Sequence, residues 1–173
     1  MRGFQSVRML FFVGLALGAV ACGSRQPGAP SRGAPGAADG VGSVPVKVFV
    51  LAPATPGQQP EGAVRTGCDE YLVPELRPVP AGSTAARARA AVSQALAANP
   101  DAAELSVAAV EARPDGTLRV ALQGRPRFAG VCGVPRLTGQ VRLTLEQFGK
   151  AEVELNGSGR AWRCLGDESG ECR

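Results

Sequence analysis

The N-terminal segment constrains the rest of the chain most, because it decides the compartment in which the chain folds. Arg2 and Arg8 form a basic start, and an apolar run of 13 residues follows from Met9 to Ala21. A helix that crosses a bilayer needs about 20 apolar residues, so this run predicts a signal peptide over residues 1–21. An exported chain folds where thiols are oxidised, so its cysteines are expected to form disulfides.

Cys22 follows the predicted cleavage site directly. Ala19-Val20-Ala21 fits ordinary secretory cleavage, and together with Cys22 it is similar to a bacterial lipobox, although Leu is more usual where Ala19 stands. Five cysteines is an odd number for an exported protein, and a lipid on Cys22 leaves four that can pair. We therefore predict that Cys22 carries fatty acid such as palmitate. The alternative is a free or intermolecularly paired Cys22.

The residues after Cys22 predict a tether and then one domain. Residues 23–43 consist largely of Gly, Ala and Pro and contain no aromatic residue, so they cannot bury enough apolar surface to offset the entropy of ordering. A flexible tether over 22–43 spans on the order of 25 Å. The domain is predicted over 44–163, and residues 164–173 form a tail. Gly23, rather than Asp, after Cys22 favours an outer membrane where the organism has one.

Hydrophobic periodicity in the domain predicts an α+β fold of about five strands and two helices. The strands are expected at Val44–Leu51, Glu70–Val79, Leu105–Arg113, Thr117–Gln123 and around Val153 and Leu155. The helices are expected from Ser83 or Thr84 to Ala98 and from Val134 to Phe148. Pro114-Asp115-Gly116 predicts a hairpin turn. Pro74, Pro78 and Pro80 lack a donor for the ladder, so their strand is expected at a sheet edge or interrupted.

The four cysteines of the domain and tail are predicted to form two disulfides and no metal site. They are Cys68, Cys132, Cys164 and Cys172, and none of them forms a CxxC pair of the kind that binds zinc. Four cysteines allow three connectivities. The local choice joins Cys164 to Cys172 in a small C-terminal loop and leaves Cys68 to pair with Cys132 across the domain; at this stage the connectivity is open.

Catalytic groups are scarce in the sequence. The chain contains no histidine, which removes the commonest general base and nitrogen metal ligand, and we predict no catalytic residue, metal or cofactor. The acidic cluster of Asp69, Glu70 and Glu75 could support glycoside hydrolysis, which needs two carboxylates, but such a cluster is more typical of solvated surface. Glu152 and Glu154 alternate with apolar residues and are expected to face solvent.

The net charge and the aromatic residues indicate which classes of partner the chain can bind. The net charge of +4 includes Arg2 and Arg8, so the mature side chains carry +2. The arginines are dispersed and aromatics are few, so no nucleic-acid partner is predicted. Trp162, the single tryptophan, could stack on a sugar ring, although a lone Trp more often closes the edge of a core.

Four segments, in this order and spacing, resemble a GerMN domain, the module named from a spore-germination and sporulation protein. They are VKVFVL, CDEYLVPELRPVP, LRVALQG, and Cys132 with the following GVPRLTGQVRLTLEQFGKAEVELNG. The residues that carry the last and most specific match are Gln140, Thr144, Leu145, Gln147 and Phe148. The resemblance covers Val44 to Trp162. The first helix lacks the Leu-Leu-x-Gly-Pro ending of the family, and the tail has no counterpart in it.

The resemblance implies a compact α/β domain similar to ring-building modules of secretion and sporulation complexes. It implies envelope work by binding, transfers no catalytic residue, and supports a disulfide between Cys68 and Cys132. The expected function is that of a non-enzymatic envelope lipoprotein that binds protein partners or peptidoglycan. The alternatives are a cell-wall hydrolase that uses a carboxylate near Asp69 and Glu70, and a structural subunit that self-associates through sheet edges.

Overall fold

The computed structural model describes residues 42–55, 57–66 and 68–167. The signal peptide, Cys22, the tether up to residue 41 and the end of the tail lie outside these residues. The described strands are β1 (Ser43–Pro53), β2 (Val64–Arg65), β3 (Glu70–Pro80), β4 (Leu105–Ala112), β5 (Leu118–Gly124) and β6 (Ala151–Leu155). The helices are α1 (Thr84–Ala97), α2 (Gly133–Glu146) and α3 (Gly159–Arg163), with a 3-10 turn at Pro100–Ala102.

The predicted α+β class is confirmed, and two elements are additional. Strand β2 lies in a segment where no strand was expected, and with two residues it is too short to show an alternating pattern. Helix α3 lies around Trp162, where no helix was expected. It begins after Ser158, whose side chain accepts the Ala161 N–H at 3.1 Å, so a capping residue was present in the sequence.

The first sheet has the order β1-β3-β2, with every pair antiparallel. Strand β3 pairs with β1 along its whole length, so its prolines do not interrupt it. Phe49 lies opposite Pro74 and directs its N–H away from β3, to Thr144 Oγ1 at 3.2 Å. The nitrogen of Pro74 therefore lies on the outer side of β3, as do those of Pro78 and Pro80. The prolines thus lie on a sheet edge. This is one of the two outcomes that the sequence predicted, the other being an interrupted strand.

The second sheet has the order β4-β5-β6. The predicted hairpin joins β4 to β5, and in its turn Asp115 Oδ1 accepts the Thr117 N–H at 2.9 Å. This backbone hydrogen bond holds the pKa of Asp115 below its ordinary value. Strands β5 and β6 are parallel, so α2 is the crossover that connects them, as a parallel pair requires. One edge of this sheet is β4 and the other is β6.

The core lies between the helices and the two sheets. Ser83 caps α1 by accepting the Ala86 N–H at 3.2 Å, and both long helices bury one apolar face. The residues that form the largest buried cluster include Ala88, Val92, Leu96, Leu118, Val120, Leu122, Leu137, Val141 and Leu145. Within the described part of the chain, no helix combines the length and apolar character that a membrane crossing needs.

Candidate functional site

Helix α2 covers the free edge of β1 with polar side chains instead of another strand. Phe49 donates its N–H to Thr144 Oγ1 at 3.2 Å, and its carbonyl accepts from Gln140 Nε2 at 2.8 Å. Two residues earlier, Lys47 donates its N–H to Gln147 Oε1 at 2.9 Å, and its carbonyl accepts from Gln147 Nε2. An unpaired strand edge would otherwise present these groups for pairing with another chain. The polar residues of the most specific GerMN-like segment therefore have a structural role here.

Gln140 is the centre of this arrangement. Its side chain is fully buried, and its Nε2 also donates to the Ala95 carbonyl at 2.9 Å. Its Oε1 accepts from Asn99 Nδ2 at 2.8 Å. One amide thus connects β1, the end of α1 and the turn that follows α1. With all its polar atoms in use inside the fold, Gln140 cannot bind a ligand.

Arginine side chains pair with each acid of the predicted catalytic cluster. Asp69 pairs with Arg65 at 3.2 Å, Glu75 pairs with Arg77 at 2.8 Å, and Glu70 pairs with Arg136 of α2. Along β3, Glu70 and Glu75 are five residues apart, or roughly 16 Å in an extended strand, and they point to opposite faces. A glycosidase holds its two carboxylates about 5–9.5 Å apart on either side of the bond. The structure therefore does not bring Glu70 and Glu75 together as such a pair.

Asp101 is a buried acid that the sequence pattern did not identify. It is 3 % exposed, and its Oδ2 has no hydrogen-bond partner. The nearest cation, Arg136, places Nη1 at 3.7 Å from that oxygen while it pairs with Glu70. Arg136 thus holds β3 and the 3-10 turn against α2. The acid follows Asn99-Pro100, and a single buried acid in a turn leaves no periodic signal in the sequence.

The disulfide between Cys68 and Cys132 is present, with an S–S distance of 2.11 Å. It joins the segment before β3 to the residue before α2, next to the ion pair between Glu70 and Arg136. Cys164, at the end of α3, is also disulfide-bonded, whereas Cys172, its expected partner, lies outside the described residues. Among the described residues, no group of three or more potential metal ligands comes together.

A groove with a volume of about 1050 Å³ runs along the outer face of α2. Its floor includes Pro135, Thr138 and Gly139. One wall is β2 with the end of its loop, and the other wall is β6 with α3. Gly139 allows α2 to lie close to β3, because a Cβ there would stand 3.0 Å from Leu72 Cδ1. The groove combines apolar lining residues with charged walls, so it is the candidate binding site.

The charges of the groove are predominantly positive. The cations are Arg65, Arg142, Lys150, Arg160 and Arg163, and the acids are Glu146, Glu152 and Glu154. Each of these acids pairs with an arginine: Glu146 pairs with Arg142, Glu152 pairs with Arg113 at 2.6 Å, and Glu154 pairs with Arg119 at 2.8 Å. The groove therefore carries excess positive charge.

Glu152 is exposed, as predicted, whereas Glu154, which was also expected to face solvent, is half-buried with its side chain 18 % exposed. Arg119 donates to Glu154 through Nε at 3.0 Å and Nη2 at 2.8 Å. These bonds hold the pKa of Glu154 below its ordinary value and raise that of Arg119. Glu154 is held by a cross-strand ion pair with Arg119 of β5, and Glu152 is held by an ion pair with Arg113, which follows β4.

Trp162 lies in the wall of the groove and is half-buried. It packs against the largest core cluster, so the structural role expected for a lone tryptophan is present. Its remaining exposed surface faces the same groove as Arg163. The sequence singled out Trp162 but not the groove, because the groove combines residues from β2, α2, β6 and α3.

Comparison of the chain with family models, with curated protein sequences and with solved structures finds no match.

Proposed function

We propose that the chain is a non-enzymatic cell-envelope lipoprotein whose domain binds a protein partner or peptidoglycan in the groove along α2. The observation that carries this proposal is the groove itself, with its positive charge, its half-buried Trp162 and its acids held in ion pairs. The GerMN-like segments support a binding role of the same kind. The signal peptide and Cys22 support a location on the outside of a membrane, by preference the outer membrane.

A variant that partly fills the groove tests whether the groove is the binding site, whatever the chemical class of the ligand. Thr138 lies in the floor, and Thr138→Phe should reduce the groove volume at that point. We expect crosslinking pull-down from native membranes, or sedimentation with isolated peptidoglycan, to lose the bound partner in this variant. Ser93→Phe, on α1 and outside the groove lining, is the matched control. Equal recovery of partner with Thr138→Phe and with the unchanged chain would contradict the proposal.

Two measurements separate binding from hydrolysis. On a zymogram of purified peptidoglycan we expect no clearing. Clearing that disappears in Asp69→Asn or Glu70→Gln would establish the hydrolase in place of the binding protein. Because Glu70→Gln weakens the pair with Arg136, its melting temperature has to be measured beside the zymogram.

The predicted lipidation of Cys22 can be tested separately. Cells fed a labelled fatty acid should label the unchanged chain, and Cys22→Ser should lose the label and move the protein from the membrane fraction to the soluble fraction. Cys164→Ser is the matched control, because it also replaces a cysteine by serine and should keep the label. An unlabelled protein would show that Cys22 is not lipidated.

A further inference from the structure

The edge of β6 that faces away from β5 carries backbone groups that are not used in the sheet. The Leu118 N–H donates to the Lys150 carbonyl at 2.8 Å, and the Asn156 N–H donates to the Leu122 carbonyl at 2.8 Å. In a parallel pair, successive residues of a strand direct their backbone N–H and C=O groups alternately to one side and to the other. These two bonds therefore show which residues of β6 face β5. The even-numbered residues of β6 therefore bond to β5, and the odd-numbered residues direct N–H and C=O to the opposite side.

Two odd-numbered residues of β6 are open. Leu155 is closed, because it exchanges backbone hydrogen bonds with Ser158 at 3.0 Å in both directions. In the described part of the chain, neither the outward N–H nor the outward C=O of Ala151 or Val153 has a hydrogen-bond partner in another element, although Gly159 of α3 lies beside the Val153 carbonyl. Both residues line the groove. The open edge of β6 is therefore the wall of the candidate binding site.

The edges of β1 and β3, and part of the edge of β4, are protected. Proline nitrogens lie along the outer side of β3, and α2 covers β1 through Gln140, Thr144 and Gln147. On β4, the Val107 carbonyl accepts from Arg89 at 3.4 Å. Natural proteins protect edges in these ways to prevent unwanted strand pairing. A short edge left unprotected inside a groove is instead suited to receiving a strand.

Two cations flank this edge. Lys150 precedes β6 and Arg163 ends α3, and both are exposed. Neither side chain has a salt-bridge or hydrogen-bond partner among the described residues, although Lys150 lowers the pKa of Asp115 through space. The neighbouring acids Glu152 and Glu154 are paired with Arg113 and Arg119. A ligand at the edge of β6 therefore meets Arg163, which forms no ion pair within the described residues, and Lys150, which interacts through space with Asp115.

We propose that an extended peptide with carboxylate side chains, supplied by a protein partner, adds to β6 as a strand and pairs with Ala151 and Val153. The proposal rests on the groove being the binding site and names its ligand. The peptide backbone bonds to the edge, and its carboxylates meet Lys150 and Arg163. Because Leu155 is closed by Ser158, the pairing covers three to four peptide residues, or roughly 10 Å of strand.

Proline at the edge tests the pairing directly. Ala151→Pro removes an outward N–H and places a ring in the path of the peptide, while the bonds to β5 remain, and proline is tolerated at such a position. Ala112→Pro is the matched control, because it places a proline at the outer side of β4: the next residue, Arg113, donates to Thr117 at 2.9 Å, so Ala112 points outward. The probe is a fluorescein-labelled peptide of alternating Glu and Val, added to the full chain in detergent.

We expect saturable binding by fluorescence anisotropy, weakened about tenfold by Ala151→Pro through the loss of hydrogen bonds and unchanged by Ala112→Pro. The same peptide with N-methyl groups on its backbone should not bind. Melting temperatures show that both variants are folded. Absence of saturable binding, or equal loss in the two proline variants, would overturn the proposal.

Charge reversal tests the carboxylate part. Lys150→Glu should weaken binding of the Glu-Val peptide, while Arg125→Glu, which changes the net charge equally outside the groove lining, should leave it unchanged. Equal effects would show attraction by net charge and would reject the assigned contact. Loss of the native partner in Thr138→Phe together with retention in Ala151→Pro would reject strand addition and keep the groove as the binding site.

Discussion

At the scale of the residue, Gln140 shows how one buried amide can replace several backbone partners. Its two donors and its acceptor are engaged by Phe49, Ala95 and Asn99. A buried polar group lowers the stability of the fold unless it forms a hydrogen bond. Gln140 and its three partners therefore satisfy each other's buried polar groups.

Gln140→Leu keeps the approximate volume and leaves the Phe49 carbonyl and the Asn99 side-chain N–H without this partner, while the Ala95 carbonyl keeps its bond from the Ala98 N–H. Since an unsatisfied buried group costs about 1–3 kcal/mol, we expect the free energy of unfolding to fall by about 3 kcal/mol. Gln94→Leu is the control, because Gln94 Nε2 donates to the Pro78 carbonyl at 2.9 Å on the surface; it should cost less than about 1 kcal/mol. Similar losses in the two variants, measured by urea unfolding, would show that burial of Gln140 is unimportant.

The ion pair of Glu154 should make the free energy of unfolding depend on pH in a known direction. Arg119 holds its folded pKa below the ordinary 4.5, so its stabilisation is complete above pH 4.5 and is lost as the pH falls through the folded value. The difference in unfolding free energy between the unchanged chain and Glu154→Gln should therefore shrink toward zero as the pH falls below 4.5. In an Arg119→Met background the difference should be small at every pH. A difference that grows toward acid pH would contradict this assignment.

At the scale of the element, β3 shows that proline can be compatible with a long strand. The nitrogens of Pro74, Pro78 and Pro80 lie on the side of β3 that β1 does not use, so no ladder bond is lost. Strand β2 covers that side at Tyr71 and Leu72 alone. The prolines therefore protect the rest of the edge from pairing with other chains.

Pro78→Thr with Pro80→Thr should restore two outward donors on β3. We expect a melting temperature within a few degrees of that of the unchanged chain, but self-association that increases with concentration. Light scattering measures the association. Pro60→Thr with Pro126→Thr, at two positions outside the helices and strands, is the control and should remain unassociated. Absence of association in the β3 variant would show that other features protect this edge.

At the scale of the whole molecule, the fold is held together by contacts between residues far apart in the chain. The disulfide joins residues separated by 64 positions, and the polar contacts of α2 reach β1 across about a hundred residues, as between Lys47 and Gln147. The groove forms where α2 passes between the edges of the two sheets. Its ligand would contact elements from both halves of the chain.

Removing the long disulfide should destabilise the molecule as a whole. In the chain-entropy model, closing a loop of 64 residues contributes roughly 4 kcal/mol. We expect Cys68→Ser with Cys132→Ser to lower the free energy of unfolding by about that amount, measured in urea. Cys164→Ser with Cys172→Ser is the control and should cost less, because the loop between those residues is shorter. An equal or larger loss in the control would contradict the entropic explanation.

The sequence by itself determined the features that depend on nearby residues. The α+β class, both long helices, the start of the first helix near Ser83 or Thr84 and the hairpin at Pro114-Asp115-Gly116 follow from periodicity and local hydrogen bonds, and the Asn156-Gly157 pair is typical of a turn. Asn156 and Gly157 have the positive φ values, 51° and 80°, that this turn requires. The exported, lipid-anchored character also rests on sequence alone and remains a prediction, because Cys22 lies outside the described residues.

The tertiary structure decided which edges are closed and which are open. Strand order, the parallel pairing of β5 with β6, and the contacts of Gln140 with β1 depend on residues distant in sequence, so no local pattern specifies them. The same reason explains why the acids near β3 suggested a catalytic cluster, whereas the fold gives each of them its own arginine. The groove and the open edge at Ala151 and Val153 exist because α2, α3 and two sheet edges lie next to each other in the folded chain. These elements are separated in the sequence, so no local sequence pattern predicts that they are neighbours.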